Sequence, residues 1–336
     1  MGDDRTLTIL CGGDVMLGRG VNATVRREGA AHPFASLTHV SRRVDLFMAN
    51  LECALSTVPR RYGGPPKAFY FIADPRGADV LTHAGIGLVS LANNHALDAD
   101  ASGLGDTLRL LESVNIAHAG AGMNEEEAKR PAIVERSGVR LGLLSCCDHQ
   151  ADFSAGPDRP GIWYLNLEEP IGQVSVLDHV EALANRVDHL IVALHWQPNW
   201  APVVPSSYRR LARSLVDAGA RIVWGHSPHH FQGVEWMGSE AVTLYSAGDL
   251  VTDYAVDPGY RNDRQLLFEV TLAPGRVTRI RALPVELGYA ETRPALGAAR
   301  KWIARRFGTA CGQVGSRAHD TGEWLEVWPP RESYAR

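Results

Sequence analysis

Five apolar runs that stop on a carboxylate, an amide or an imidazole constrain this chain more than any other feature of it. They are LTILCGGDV (7–15), DLFMANLE (45–52), GIGLVSLANN (85–94), HLIVALHW (189–196) and ARIVWGH (220–226). Each is short and bounded by turn formers or polar residues, which predicts a buried strand. Between them, GLGDTLRLLESVN (103–115) and PSSYRRLARSLVDAG (205–219) carry leucine and valine at helical spacing, and Gly219 supplies a stop for the second. Strands alternating with helices predict an α/β fold. Turn pairs at Ser137-Gly138, Gly238-Ser239 and Pro274-Gly275 add three hairpins. Parallel and antiparallel strands together predict layered, mixed sheets rather than a simple doubly wound sheet.

The chain has 336 residues, 45% of them apolar, which is enough for one large core, and no break in composition marks a second domain. The core domain is expected over 6–290. The segment 291–336 reads as a C-terminal helix, Leu296 to Phe307, and an extension packed on that domain. A formal charge of −4 with scattered basic residues excludes a nucleic-acid footprint. The apolar run Leu7 to Cys11 is too short for a signal peptide, and no segment reaches the length of a membrane span. A soluble, cytoplasmic protein is expected. Five cysteines, odd in number and without paired metal-binding spacing, predict reduced, partly buried thiols. Cys53, beside Glu52, lacks an activating base and is expected to be a buried thiol.

Ligands of open α/β folds bind beyond the carboxyl ends of the strands. Here those ends carry Asp14, then Asn50 and Glu52, then Asn94 and His95, then His195, then His226 with His229 and His230. Asp249, in TLYSAGDLVTDY, follows a further strand. Taken singly, such residues serve as caps, turn formers or core hydrogen-bonding groups, and that is the expectation for Asn50, Asn93 and Asp98. As a set they are what one or two divalent cations require, since carboxylates bridge while neutral imidazoles and an amide oxygen complete the shell.

The series GDVMLGR, ANLE, SLANNHALD, GAGMNEEEAKRPAI, HW and GHSPHHFQGVE, from about Thr8 to about Val270, resembles the motifs of the bacterial capsule synthesis CapA family. That poly-γ-glutamate synthesis group is similar in fold to the calcineurin-like metallophosphoesterases. The resemblance implies a four-layer αββα sandwich. It implies Asp14 as the first-motif metal ligand and Glu52 in the place of a bridging carboxylate. Asn94 and His95 match a ligand and catalytic-acid pair. His195 and His226 match later ligands, and His229 and His230 both stand for the remaining one. Met16 occupies the place of the usual second ligand, and a thioether suits hard divalent ions poorly. One tightly held ion, or two with an open first position, is therefore implied, the metal being Mn, Zn, Ca or Mg.

Such a site lowers the pKa of a bound water and stabilises an oxyanion. With His95 as acid, it supports hydrolysis of a phosphoester or of a γ-glutamyl or peptide amide. The same groups, with Asp14 or an imidazole exchanging a Cα proton, support an amino-acid or peptide epimerase. A non-catalytic accessory protein of poly-γ-glutamate or peptide biosynthesis is the third reading. Expected substrate contacts are Arg19, Trp196, Asp249 and Arg261, with Trp200, Tyr254 and Tyr260 as aromatic walls and Lys67 as a further basic group.

Overall fold

A computed structural model describes residues 6–58 and 60–329. The last residues of the expected extension, 330–336, lie outside the described residues. The strands that build the two main sheets are β1 (Leu7–Val15), β2 (Leu46–Leu51), β3 (Ile86–Ser90), β4 (Ala117–Ala119), β5 (Ala132–Arg136), β6 (Val139–Cys147), β7 (His189–His195) and β8 (Ile222–His226). They continue with β9 (Val234–Met237), β10 (Ala241–Leu244), β11 (Asp249–Val251), β12 (Arg264–Ala273), β13 (Arg276–Gly288), β14 (Glu291–Pro294), β15 (Arg317–Asp320) and β16 (Leu325–Trp328). The main helices are α1 (Arg19–Glu28), α2 (Arg76–Ala84), α3 (Asp100–Ser113), α4 (Pro170–Ala184), α5 (Ser206–Asp217) and α6 (Gly297–Gln313).

The first sheet runs β15-β16-β13-β12-β1-β2-β3-β4, with β11 beside the end of β1 and β14 beside β13. The second runs β9-β10-β8-β7-β6-β5. Both are mixed. β1, β2, β3 and β4 are parallel, as are β6, β7 and β8, whereas all three expected hairpins form antiparallel pairs.

Alternation along the strands sorts the core into layers. Ile9, Cys11 and Met48 of the first sheet meet Leu143, Ile191 and Trp224 of the second between the sheets. Leu10, Phe47 and Val89 face outward onto α1, α2 and α3, burying Val21, Val25, Leu81 and Leu104. Leu190, Val192 and Leu194 face outward onto α4 and α5, burying Val180, Leu211 and Leu215. The architecture is a four-layer αββα sandwich. Helix α6 plugs one end of the space between the sheets with Ile303 and Phe307, and β15 and β16 extend the first sheet. All five cysteines are buried and unpaired, and burial pushes the Cys53 thiol up to about 12. Among the described residues, no helix is long and apolar enough to cross a membrane.

Register places the polar strand ends in two rows. Asp14 stands opposite Asn50 on one side and Asp249 on the other, and His195 stands opposite His226. The third predicted strand stops at Ser90 instead of Asn94, because the Asn93 N–H turns back to the Leu91 carbonyl at 2.9 Å. That turn frees the following side chains for the site.

The β1–β11 pairing depends on close backbone approach at glycine. A Cβ on Gly13 would lie 1.9 Å from the Gly248 carbonyl oxygen, the acceptor of the Asp14 N–H at 2.8 Å. Neither backbone yields cheaply, so Gly13→Ala is expected to cost at least about 1–3 kcal/mol of stability. Because the shift separates Asp249 from Asp14, it is also expected to weaken metal binding. Urea denaturation and metal titration of the variant check both effects.

Candidate metal centre

Asp14, His195 and His226 offer ligand atoms within 4.8 Å of one another, and so do Asp14, Glu52, His229 and Asp249. Asp14 is common to both groups, and Glu52 of the second group also lies beside His195 of the first. Asn50 donates to Asp14 Oδ1 at 2.8 Å, leaving Oδ2 toward the site, 3.5 Å from His229 Nδ1. Glu52 Oε1 lies 3.9 Å from Nε2 of both His95 and His195. His229 Nδ1 is 2.9 Å from Asp249 Oδ1, and the Nδ1 atoms of His195 and His226 are 2.8 Å apart.

The donor set fits a divalent cation. Asp14 Oδ2, both Glu52 oxygens, Asn94 Oδ1, His226 Nε2 and Asp249 Oδ2 are buried and have no hydrogen-bond partner. Buried polar atoms are ordinarily satisfied, and an orphaned group costs about 1–3 kcal/mol. Carboxylate and amide oxygens mixed with imidazoles suit a divalent ion.

The electrostatics agree with an unscreened anionic hole. Burial and then Asp14 hold the Glu52 carboxyl well above the usual range. Burial likewise raises Asp14 and Asp249, with His229 pulling both back. Burial holds His226 down to about 3 and keeps His195, which also faces other imidazoles, well below its usual value. His229 is the exception: burial opposes its charge, but Asp249, Glu52 and Asp14 outweigh it and lift it to about 10.

His95 sits at the rim on its own support. Its Nδ1 is 2.5 Å from Asp98 Oδ2, which also accepts the Phe71 N–H at 2.6 Å, and its ring stacks on Phe71 at 3.9 Å. Lys67 donates to Asp98 and to the Asn94 carbonyl. Asn93 accepts the His95 N–H at 3.0 Å and donates to Asn50 Oδ1 and Leu51 O, which ties this turn to β2. Asp98 and Asn93 are thus supports of the turn, and Lys67 is spent on the protein's own carboxylate.

Above the cluster opens a cavity of about 680 Å³ whose lining includes Asn94, His95 and His229, with Phe71, Trp200 and Tyr254 as aromatic walls. Arg19 reaches its rim, 3.4 Å from Asp253. The loops after β7 and β8 hold Gln197, Trp200, Ser227 and His229 at positive φ, a conformation uncommon for non-glycine residues.

Two expected substrate contacts are placed elsewhere, and a third takes another part. Trp196 is fully buried on the opposite face of β7, packed on Tyr208 and Tyr245 with its indole N–H on the Tyr245 carbonyl. Adjacent strand residues face opposite ways, so a neighbour of His195 could not share its side. Arg261 is turned onto Asp263 at 2.8 Å, a local pair outside the cavity wall. Asp249 offers a carboxylate oxygen to the candidate metal cluster. Met16 is buried in the outer apolar cluster. Of the two competing histidines, His229 joins the cluster, and His230 bonds the Phe231 carbonyl. Sequence reasoning missed His149, whose Nδ1 lies 2.6 Å from Asp148 and whose ring meets His195 edge-on. Its position two residues beyond the end of β6 was the available signal.

The profile of the family described as Bacterial capsule synthesis protein PGA_cap matches residues 8–254. A Mycobacterium tuberculosis protein named "Probable polyglutamine synthesis accessory protein" is 28% identical, covering 91% of this chain and 93% of that one. The "Capsule biosynthesis protein CapA" of Bacillus anthracis is 28% identical over 75% of this chain, which spans 61% of that relative's length. In fold the chain is similar to a 5'-nucleotidase precursor of Thermus thermophilus, with a TM-score of 0.51 at 15% identity, covering 92% of this chain and 59% of that one. With the profile matched over most of its length, this chain belongs to the bacterial capsule synthesis PGA_cap family.

Proposed function

We propose that this protein is a metal-dependent hydrolase of γ-glutamyl or peptide amide bonds, acting in poly-γ-glutamate metabolism. The observation that carries the reading is the set of buried, unpartnered atoms of Asp14, Glu52, Asn94, His226 and Asp249 beside the open cavity that Asn94, His95 and His229 line. A divalent ion held there supplies an electrophile for a carbonyl oxygen and a water of lowered pKa. The chain's own residues supply the rest. Asp98 fixes the His95 tautomer with its proton on Nδ1, which leaves Nε2 facing Glu52 and the cavity. From there His95 takes a proton from the attacking water and gives it to the leaving amine.

Amide is favoured over phosphoester by the cavity lining. Arg19 and Lys67 of the lining are already engaged by Asp253 and Asp98, which leaves His229 and the bound ion alone to neutralise a phosphate dianion. Asn199 instead offers an amide group suited to a peptide backbone, as does Gln150 through its side-chain carbonyl, its NH2 being held by Asp152. The relatives named for polyglutamine synthesis and capsule biosynthesis agree with a glutamyl substrate.

The test is incubation of the metal-loaded protein with γ-glutamyl peptides, poly-γ-glutamate and phosphoesters, in water and in heavy water. Metal-dependent appearance of new α-amino groups is expected. Phosphate release with amides untouched would replace the amide by a phosphoester. Deuterium entering Cα without cleavage would make the protein an epimerase, and tight glutamyl binding without turnover an accessory protein.

A further inference from the structure

We infer that a γ-linked polyglutamate chain, cut in the metal cavity, continues over Trp200 into a second cavity and along the basic face of α6. The inference rests on the glutamyl reading above and extends it to residues beyond those matched by the family profile.

Neighbouring histidines open onto two different cavities. His229 lines the metal cavity, and His230 lines a second one of about 240 Å³ between the 202–204 loop and α6. Trp200 is the ridge between them, since it lines the metal cavity and stacks on His230 at 6.4 Å and 17°. His230 is only 4% exposed. Its Nδ1 faces the Phe231 carbonyl at 3.0 Å, the Ala201 carbonyl also acts on the ring, and Nε2 is buried without a hydrogen-bond partner.

The opposite wall is cationic. Helix α6 reads GAARKWIARRFGTACGQ, with four basic residues and no acidic one in a chain of net charge −4. Arg300 is paired with Asp320, and Arg306 sits over the Trp302 ring. Lys301 and Arg305, one turn apart and both exposed, have no ion-pair partner among the described residues. Arg305, Thr309 and Gln313 follow one another along the cavity, facing the apolar Pro202, Val203 and Val204.

Those three kinds of contact match one repeating unit. Each γ-glutamyl residue carries an amide group for His230 Nε2, a carboxylate for Lys301 or Arg305, and two methylenes for the valines. An inorganic anion uses only the second of these.

Binding of fluorescently labelled poly-γ-glutamate by anisotropy, alongside kcat/KM on the polymer and on a γ-glutamyl tripeptide, tests the path on the intact metal-loaded protein. The variant Lys301→Glu/Arg305→Glu, altered only at exposed positions, is expected to weaken polymer binding at least about tenfold. Its kcat/KM on the polymer should fall in proportion, with the tripeptide unaffected, and the conservative Arg305→Lys should keep most of the wild-type affinity. Unchanged polymer affinity, or an equal loss on polymer and tripeptide, overturns the inference. Because anisotropy needs no turnover, polymer binding that the charge reversals weaken supports the path even if cleavage is absent and the hydrolase reading fails.

Discussion

Exchanging Glu52 for leucine is expected to make the metal-free protein more stable and to abolish metal-dependent turnover. Both Glu52 oxygens are buried without a partner, beside Asp14 and Asp249. Without an ion, the carboxyl is unsatisfied, which costs about 1–3 kcal/mol. Leucine has a similar volume and no polar atom, so the urea midpoint in EDTA should rise by a corresponding amount. With an ion present the order reverses. An ion at about a hundredfold excess over its Kd stabilises the wild type by about 2.7 kcal/mol, and the variant should gain little of that. Acidification should mimic the substitution, since protons compete with the ion for carboxyls that burial already holds above their usual range. Metal affinity therefore falls as pH falls. A Glu52→Leu protein less stable than wild type in EDTA would mean that Glu52 is a structural hydrogen-bonding group.

Removing the proton carrier should leave the metal in place. His95 is held by Asp98, the Phe71 ring and, through Asp98, Lys67. His95→Ala is expected to lower kcat about 10²–10⁴-fold with metal content unchanged. Asp98→Asn should approach the same loss by releasing the tautomer that aims Nε2 into the cavity. The double variant should be no worse than His95→Ala alone, because the two residues act as a unit. Single-turnover rates with metal analysis on the same samples separate this from a loss of the ion, and full activity in His95→Ala would remove His95 from the reaction.

Much of this arrangement was legible in the sequence because strands buried on both faces must be apolar throughout, so a polar residue at their ends is conspicuous. That is how Asp14, Glu52, His195 and His226 stood out, and why the hairpins at Ser137-Gly138 and Pro274-Gly275 could be located. What stayed hidden depended on long-range pairing. For Asp249 the sequence leaves a ligand carboxylate and a substrate contact both open, since nothing local says that β11 aligns beside β1 and brings it opposite Asp14. The division of His229 from His230 turns on one positive φ in a loop. Trp196 was avoidable: strand alternation alone sends it to the helix side, away from His195. Arg261 found a nearer carboxylate in Asp263, and Lys67 found one in Asp98.

The central claim is that the strand ends form a metal centre, and metal content tests it most directly. Elemental analysis of protein purified without chelator, followed by calorimetric titration of the EDTA-stripped protein with Mn and Zn, should find one or two divalent ions per chain. The binding heat should disappear in Glu52→Leu. A wild-type protein that carries no divalent metal and gains none when Mn, Zn or Ca is added would contradict the account.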